Sequence, residues 1–223
     1  MQNFATTAAI VTVLDIPAGR IRLIAADRTD TTVEVLPANA AKSSDVKAAE
    51  QVTVDYTDGV LRIEAAPAKN RIVGNSGSVE VTVQLPAGSR VEATTAAAEL
   101  RGVGRLGDVT FEGAQGTVKL DEAASARLTL QAGGITVGRL GGAADISTQQ
   151  GDIHITEAHS GTVTLTTAAG NLTIGAARGV SASLNAATTH GRIDNALKNT
   201  DGPDAGLTIH ATTAAGDITA HSL

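Results

Sequence analysis

A small residue followed two positions later by a branched aliphatic residue recurs through the second half of the chain. The small residues, which we call the anchors, are Ala98, Gly116, Gly133, Gly151, Gly170, Gly191 and Gly216. The aliphatic residues that follow them are Leu100, Val118, Ile135, Ile153, Leu172, Ile193 and Ile218. Successive anchors are 18, 17, 18, 19, 21 and 25 residues apart. A nearly constant period of about 20 residues is typical of stacked repeats.

Alternating polar and apolar residues on both sides of each anchor predict one strand before it and one strand after it. After Gly170, for example, Leu172 would point inward and Thr173 outward, and Ile153 and His154 hold the same places one repeat earlier. We therefore expect neighbouring repeats to pair as parallel strands with inward ladders of Val, Ile and Leu. The anchor would form a corner, because glycine permits positive φ and a close approach of two backbones.

The first 90 residues show alternating strands separated by short turns. Strands are predicted at 9–14, 20–25, 31–36, 52–56, 60–64 and 78–85. Asp58 and Gly59 stand between two of them and are a strong hairpin signal. The polar stretch 39–51 fits either a short helix capped by Asp45 or a plain loop, and the sequence 67–77 predicts a second loop.

These patterns predict an all-β protein. Residues 91–223 are expected to form a right-handed parallel β-helix (β-solenoid) of about seven short coils. Residues 1–90 are expected to form an antiparallel β-strand unit that caps its first end, because solenoids need caps over their terminal coils. Aromatic residues make up only 1% of the chain. That composition suits the narrow interior of stacked coils, which needs no large rings to fill it.

Charge and composition exclude several classes of function. A net charge of −6 argues against nucleic-acid binding, and no apolar stretch approaches the length of about 20 residues that membrane insertion needs. The first residues lack the basic and apolar pattern of a secretory signal, so we expect a cytoplasmic protein. The absence of cysteine excludes disulfides, thiolate zinc sites and cysteine nucleophiles.

The residues that could carry chemistry are scattered. The histidines, at positions 154, 159, 190, 210 and 221, have no helical metal-ligand spacing. Asp152, Asp194 and Asp217 fall in different repeats, and nothing places two of them at the separation that paired-carboxylate catalysis requires. A Gly-x-Gly-x-x-Gly string at 102–107 precedes a strand instead of opening a helix. We predict no catalytic, cofactor-binding or metal-binding residue.

The outward position three residues after each anchor forms a stripe with basic residues at one end and neutral or acidic residues at the other. Its members are Arg101, Lys119, Thr136, His154, Thr173, Asp194 and Thr219. A solvated surface explains such a stripe, and so does a contact with a partner that is steered by charge. If the second explanation holds, the partner-binding residues are Arg101, Lys119, His154 and Asp194.

Several segments resemble the putative-adhesin family of β-strand-repeat proteins of unknown function. They are Leu-Asp-Ile-Pro-Ala-Gly at 14–19, Asp-Arg-Thr-Asp at 27–30, Leu-Pro-Ala-Gly-Ser-Arg-Val at 85–91, and Gly-Asp-Ile at 151–153 and 216–218. The resemblance covers nearly the whole chain. It implies a single-chain β-helix with an N-terminal β unit and supplies no catalytic residues. Several anchors depart from the pattern, as with Gly-Thr-Val at 116–118 and Gly-Arg-Ile at 191–193.

The leading hypothesis is a non-enzymatic, adhesin-like scaffold that binds a protein partner or itself. Few residues follow the last coil, 209–218, so the C-terminal coil is expected to be exposed and to drive self-association. The alternative is a polysaccharide-binding or polysaccharide-active β-helix. A third hypothesis, a cell-surface adhesin, would require an export signal.

Overall fold

The computed structural model describes residues 1–65 and 77–223, and the regular structure of these residues is almost entirely β-strand. The prediction of an all-β protein is therefore confirmed. Contacts divide the chain into two compact units, Met1–Gly116 and Thr117–Leu223. No helix in the described part of the chain is long and apolar enough to cross a bilayer. The predicted loop at 67–77 falls outside the described residues except at Gly77.

The first unit contains all the strands predicted for the described part of residues 1–90, together with an additional strand at the start. Its elements are β1 (Gln2–Ala5), β2 (Val11–Asp15), β3 (Ala18–Ala26), β4 (Asp30–Pro37), α1 (Ser43–Glu50), β5 (Val52–Thr57), β6 (Val60–Ala65), β7 (Val79–Pro86) and β8 (Arg90–Gln115). The predicted β5–β6 hairpin is confirmed. Asp58 and Gly59 have φ values of 50° and 80°, as a two-residue type I′ turn requires.

The central strands of the first unit pair in parallel. β2 lies between β6 and β8, and β3 lies between β7 and β8. The pairs β1–β4, β4–β7 and β5–β6 are antiparallel. The prediction of an antiparallel unit is thus wrong for β2 and β3, because the chain returns along β6–β7 and then crosses to the opposite side of β2–β3 as β8. β8 begins at Arg90 and pairs within the first unit, and a domain boundary between 90 and 91 stays a prediction.

A short helix, not a plain loop, follows β4. Its N-cap is Lys42, so the prediction that Asp45 caps the helix is wrong. Asp45 is instead buried in the first turn, where its Oδ1 accepts the backbone N–H of Ser78 at 3.2 Å. This hydrogen bond ties the helix to the start of β7.

The second unit is built of parallel strands. They are β9 (Val118–Ala132), β10 (Ile135–Leu140), β11 (Ala144–Gln150), β12 (Ile153–Ala158), β13 (Gly161–Ala169), β14 (Leu172–Ala176), β15 (Ala182–His190), β16 (Ile193–Ala196), β17 (Leu207–Ala215) and β18 (Ile218–Ser222). A short 3₁₀ turn at Gly202–Asp204 precedes β17. Ile153 pairs with Leu172 and His154 with Thr173, so the predicted register between these repeats is confirmed.

The spatial order of the coils differs from their order in the sequence. One column of strands runs β9–β10–β12–β14–β18–β16, and the other runs β9–β11–β13–β17–β15. The last coil, β17–β18, therefore lies between β13–β14 and β15–β16. Ile209 and Ile218 are fully buried, and the prediction of an exposed C-terminal coil is wrong. The long connection between Ala196 and Leu207 allows the chain to pass the outer coil and return inside it.

Candidate functional site

The corners of the second unit are closely packed against one another. Gly151, Gly170 and Gly216 have φ values of 146°, 153° and 149°. A Cβ added to each would lie 2.1, 2.0 and 1.9 Å from the carbonyl oxygen of the anchor glycine in the neighbouring coil. Both the backbone conformation and the missing space exclude a side chain here, which confirms the role predicted for these three anchors.

A threonine three residues before the anchor supports each of these corners. Its hydroxyl donates to the carbonyl oxygen of the anchor in the neighbouring coil. The pairs are Thr167 with Gly151 at 3.2 Å, Thr213 with Gly170 at 3.1 Å and Thr188 with Gly216 at 3.0 Å. Each of these hydrogen bonds gives a partner to an anchor carbonyl that, because it lies in the corner, is not paired in the β-sheet.

The residue directly after the anchor forms a second ladder along the same corners. Asp152 accepts the backbone N–H of Asn171 at 2.7 Å, Asn171 accepts that of Asp217 at 2.9 Å, and Asp217 accepts that of Arg192 at 2.8 Å. The N–H of Arg192, together with its guanidinium, holds the pKa of Asp217 below its usual value. Asp152 and Asp217, which the sequence presents as isolated carboxylates, therefore bind backbone at the corners.

The predicted stripe forms one continuous row within the second unit. Its order is Lys119, Thr136, His154, Thr173, Thr219 and Asp194, with each residue paired in register to the next. Adjacent members lie on strands about 4.8 Å apart. Lys119 and Asp194 are exposed at opposite ends, and His154 is half-buried with its Nε2 3.2 Å from the Thr156 hydroxyl. Because the coils are reordered, Asp194 ends the row and Thr219 precedes it.

Arg101 belongs to the first unit, whereas the row just described belongs to the second. Arg101 is half-buried on β8 and pairs in register with Arg22, which in turn pairs with Thr82. The structure thus brings together six of the seven predicted stripe residues and describes Arg101 in a different unit.

A row of ion pairs, which sequence reasoning missed, runs across β9, β10 and β12. Arg139 Nε lies 3.2 Å from Glu157 Oε2, and Arg139 Nη1 lies 4.0 Å from Glu122 Oε2. Glu157 Oε1 is also 3.4 Å from His159 Nε2. The signal was present in the sequence, because Glu122, Arg139 and Glu157 follow each other at the period of the anchors.

Residues 11–222 match the model of the family described as Toastrack DUF4097. The chain belongs to this family. The resemblance seen in the sequence is therefore confirmed for nearly the whole Toastrack chain. No curated protein matches it.

Solved structures similar to this Toastrack chain cover it almost completely but at low identity. A putative cell adhesion protein from Clostridium sporogenes ATCC 15579 is 13% identical over 100% of this chain and 98% of its own, with a TM-score of 0.42. A putative adhesin from Bacteroides fragilis NCTC 9343 is 12% identical over 98% and 95%, with a TM-score of 0.43. A putative lipid binding protein from Parabacteroides distasonis ATCC 8503 is 9% identical over 98% and 95%, with a TM-score of 0.45. These similarities are too low to carry an argument.

In the part of the chain that the structure describes, the ionisable groups do not converge on a metal centre. Among residues 1–65 and 77–223, no group of three or more His, Asp or Glu side chains is placed to hold a metal ion. His210 lies between Thr164 and Asn185 on the neighbouring strands. His159 Nε2 lies 3.4 Å from Glu157 Oε1 without a hydrogen bond.

An open depression of about 380 Å³ lies at the corner of the first unit in this Toastrack chain. Arg20, directly after Gly19, spans it between two neighbouring coils, with 2.9 Å to Glu80 and 3.3 Å to Glu99. Gly19 has a φ of 133°, close to the values of Gly133, Gly151, Gly170 and Gly216 in the second unit. The corner pattern therefore continues into the first unit, where an Arg–Glu ladder takes the place of the Asp–Asn ladder.

Proposed function

We propose that this chain is a non-enzymatic, adhesin-like scaffold that binds a protein partner through the stripe of its second unit. The observation that carries the proposal is the register of the stripe, in which six neighbouring strands align Lys119 at one end and Asp194 at the other. A row of graded charge on a regular β surface attracts and orients a partner of complementary charge. Extension of the stripe to Arg101 is a further part of the proposal.

The finer architecture belongs to the same proposal. The coils would form a right-handed parallel β-helix, about seven coils if every anchor marks one, with the first residues as its cap. The parallel register within each unit supports this arrangement. The cytoplasmic location expected from the sequence stays a prediction.

The arrangement of the carboxylates supports a role in binding rather than catalysis. Asp152 and Asp217 are used as hydrogen-bond acceptors for the backbone of the next coil, and Glu157 and Glu122 flank Arg139. A general acid or base needs a carboxylate that is free to exchange a proton with substrate. Carboxylates that hold the coils together are poorly suited to that task.

The outward surface of β13 and β17 does not favour the alternative function, binding or cleavage of a polysaccharide. Their outward positions are mostly threonine: Thr162, Thr164, Thr166, Thr208 and Thr212. Binding or cleavage of an acidic polysaccharide needs a groove of basic and acidic side chains, and a threonine wall does not supply one. We therefore prefer a protein partner.

Charge reversal at one end of the stripe tests the proposal. Lys119→Glu is compared with Arg127→Glu, which makes the same change of charge on the same strand but in the other column, where Arg127 is exposed and pairs with Asp145. The bait is the full chain in native lysate, and quantitative mass spectrometry measures each captured protein. We expect at least one protein to be retained by wild type and by Arg127→Glu and reduced at least about tenfold by Lys119→Glu, with the loss growing as salt is lowered.

Equal retention of every captured protein by both variants would contradict the proposal. So would equal loss, because a partner that responds to charge anywhere on the chain does not recognise the stripe. Cleavage of an acidic polysaccharide by the wild-type chain would favour the alternative function.

A further inference from the structure

The inward aliphatic side chains that follow the anchors form a row along the column β9–β10–β12–β14–β18–β16, which we call the inner column. This row ends at Ile193. Ile218, the residue paired with Ile193, is fully buried, whereas Ile193 is 46% exposed. Ile193 lies on β16, which pairs with β18 on one side, and no strand of the described residues pairs with its other side. At β16, therefore, the end of the hydrophobic interior is exposed to solvent and one edge of the sheet is unpaired. Such an edge is a template for pairing with another strand.

The backbone of Ile193 faces this open side. Its neighbour Arg192 directs both of its backbone groups to the adjoining coil, since its N–H donates to Asp217 at 2.8 Å and its carbonyl accepts from Ile218 at 2.9 Å. Successive residues of a strand direct their N–H and C=O groups to opposite sides. Ile193 therefore presents its N–H and its C=O outward. Two such residues facing each other across a two-fold axis form the hydrogen-bonded pair of an antiparallel ladder.

The side chains beside Ile193 are complementary in that arrangement. An antiparallel contact centred on Ile193 places Arg192 of one copy opposite Asp194 of the other, twice per dimer. Both residues are exposed, and the side chain of Arg192 is 89% exposed although it also contacts Asp217. Residues that flank a hydrogen-bonded pair approach more closely than the pair itself. The same contact brings the two Ile193 side chains together over the open end of each interior.

The loop after β16 covers the start of β15 but not β16. At the start of β15, Ser181 uses its carbonyl to pair with Leu207 at 3.2 Å, so the next residue, Ala182, faces the opposite side. There the N–H of Ala182 donates to the carbonyl of Lys198 at 3.0 Å. The loop therefore covers the start of β15 and leaves β16 accessible.

We propose that two copies of this chain pair through β16, in antiparallel orientation and centred on Ile193, with Arg192 of each copy bound to Asp194 of the other. The contact is isologous and closes as a dimer. The dimer shares Asp194 with the stripe. The two proposals are still tested separately, because the dimer is measured on the pure chain and Lys119, whose charge reversal tests the stripe, lies at the opposite end of the row.

The oligomeric state of the full chain tests this dimer. Sedimentation equilibrium from about 1 μM to about 1 mM should show a monomer that converts to a dimer. Arg192→Glu and Asp194→Arg each place like charges opposite one another, and each should raise the dissociation constant at least about tenfold. Because Arg192 also binds Asp217, thermal unfolding is measured for both variants, and Asp194→Arg leaves that contact intact.

A mixture of the two variants tests the register itself. When an Arg192→Glu chain meets an Asp194→Arg chain, each position 192 faces a position 194 of opposite charge. We expect the mixture to form a one-to-one heterodimer with an affinity near that of wild type. A wild-type chain that stays monomeric at the highest concentration, variants that dimerise as wild type does, or a mixture that stays monomeric would each overturn the proposal.

Discussion

The carboxylate of Asp217 binds Arg192 with both of its oxygens. Oδ1 accepts the backbone N–H of Arg192 at 2.8 Å, and Oδ2 accepts its Nη2 at 3.1 Å. Arg192 precedes Asp217 in the sequence but belongs to the coil stacked outside it. The pair therefore joins the buried last coil to the exposed outer coil, and it explains why an acidic residue follows the anchor.

The first prediction concerns pH. The pKa of Asp217 is lowered from 3.8 by the backbone N–H and then the guanidinium of Arg192. A carboxyl whose folded pKa is lowered stabilises the fold fully above its unfolded pKa, and this stabilisation is lost as the pH falls through the folded pKa. In urea unfolding, Asp217→Asn should therefore be less stable than wild type near neutral pH, and the difference should shrink as the pH falls below 3.8.

Asp217→Ala separates the two contributions in this experiment, because asparagine can still accept the backbone N–H and alanine cannot. Asp217→Ala should stay less stable than wild type even in acid. A constant difference between Asp217→Asn and wild type at all pH values would show that the charge of Asp217 does not matter.

The second prediction extends the Asp–Asn ladder by one coil. Gly134 follows the anchor Gly133, so it holds the place in the coil before Asp152 from which a side chain could accept the N–H of Asp152. A Cβ on Gly134 would meet only the carbonyl oxygen of Asp152, at 3.7 Å, which is an ordinary contact. Gly134→Asn should accept the N–H of Asp152 and stabilise the chain by about 1 kcal/mol more than Gly134→Ala, which restricts the unfolded chain without adding a hydrogen bond. Equal free energies of unfolding for the two variants would argue against the ladder as a source of stability.

The third prediction tests the order of the coils through the inner column. Ile218 is fully buried and Ile193 is 46% exposed. Ile218→Ala should cost about 2–5 kcal/mol of unfolding free energy, as for other buried aliphatic residues, whereas Ile193→Ala should cost less than about 1 kcal/mol in dilute monomer. If the coils stacked in sequence order, Ile218 would end the column and the two costs would be reversed.

The fourth prediction tests the same order by cross-linking. Asp194 pairs in register with Thr219, and Thr173 lies one strand further away on the other side of Thr219. The chain has no cysteine of its own. Mild oxidation should bridge Asp194→Cys with Thr219→Cys, whose strands are about 4.8 Å apart, far better than Asp194→Cys with Thr173→Cys, at about twice that distance. Similar bridging of the two pairs would support the sequence order, in which Asp194 would lie between Thr173 and Thr219.

Much of the local structure could be predicted from the sequence. The hairpin at Asp58 and Gly59 is a two-residue signal, and the corner at Gly170 follows from a glycine between two alternating segments. The register of Ile153 with Leu172 follows as well, because the inward positions recur at nearly constant spacing. Each of these features depends on residues that are close in the chain or one period apart.

The candidate site was predicted less completely. Lys119 and His154 lie in one row as expected, but Asp194 changed places with Thr219 when the coils were reordered. The corner role of Asp152 was missed, since its partner is a backbone N–H that carries no signal in the sequence. A hydrogen bond to backbone becomes visible only when the neighbouring coil is known.

By itself the sequence determined the repeat, the corners and the inward ladders, because alternation and spacing dictate which side of a strand each residue occupies. Only the tertiary structure decided which coil stacks on which. From the sequence, Leu172 could pair with Ile193 as well as with Ile218, since both are isoleucines at the same position of the repeat. The choice depends on the long connection after Ala196, which leads the chain past the outer coil and back inside it. That choice buries Ile218, exposes Ile193 and places the open edge on β16.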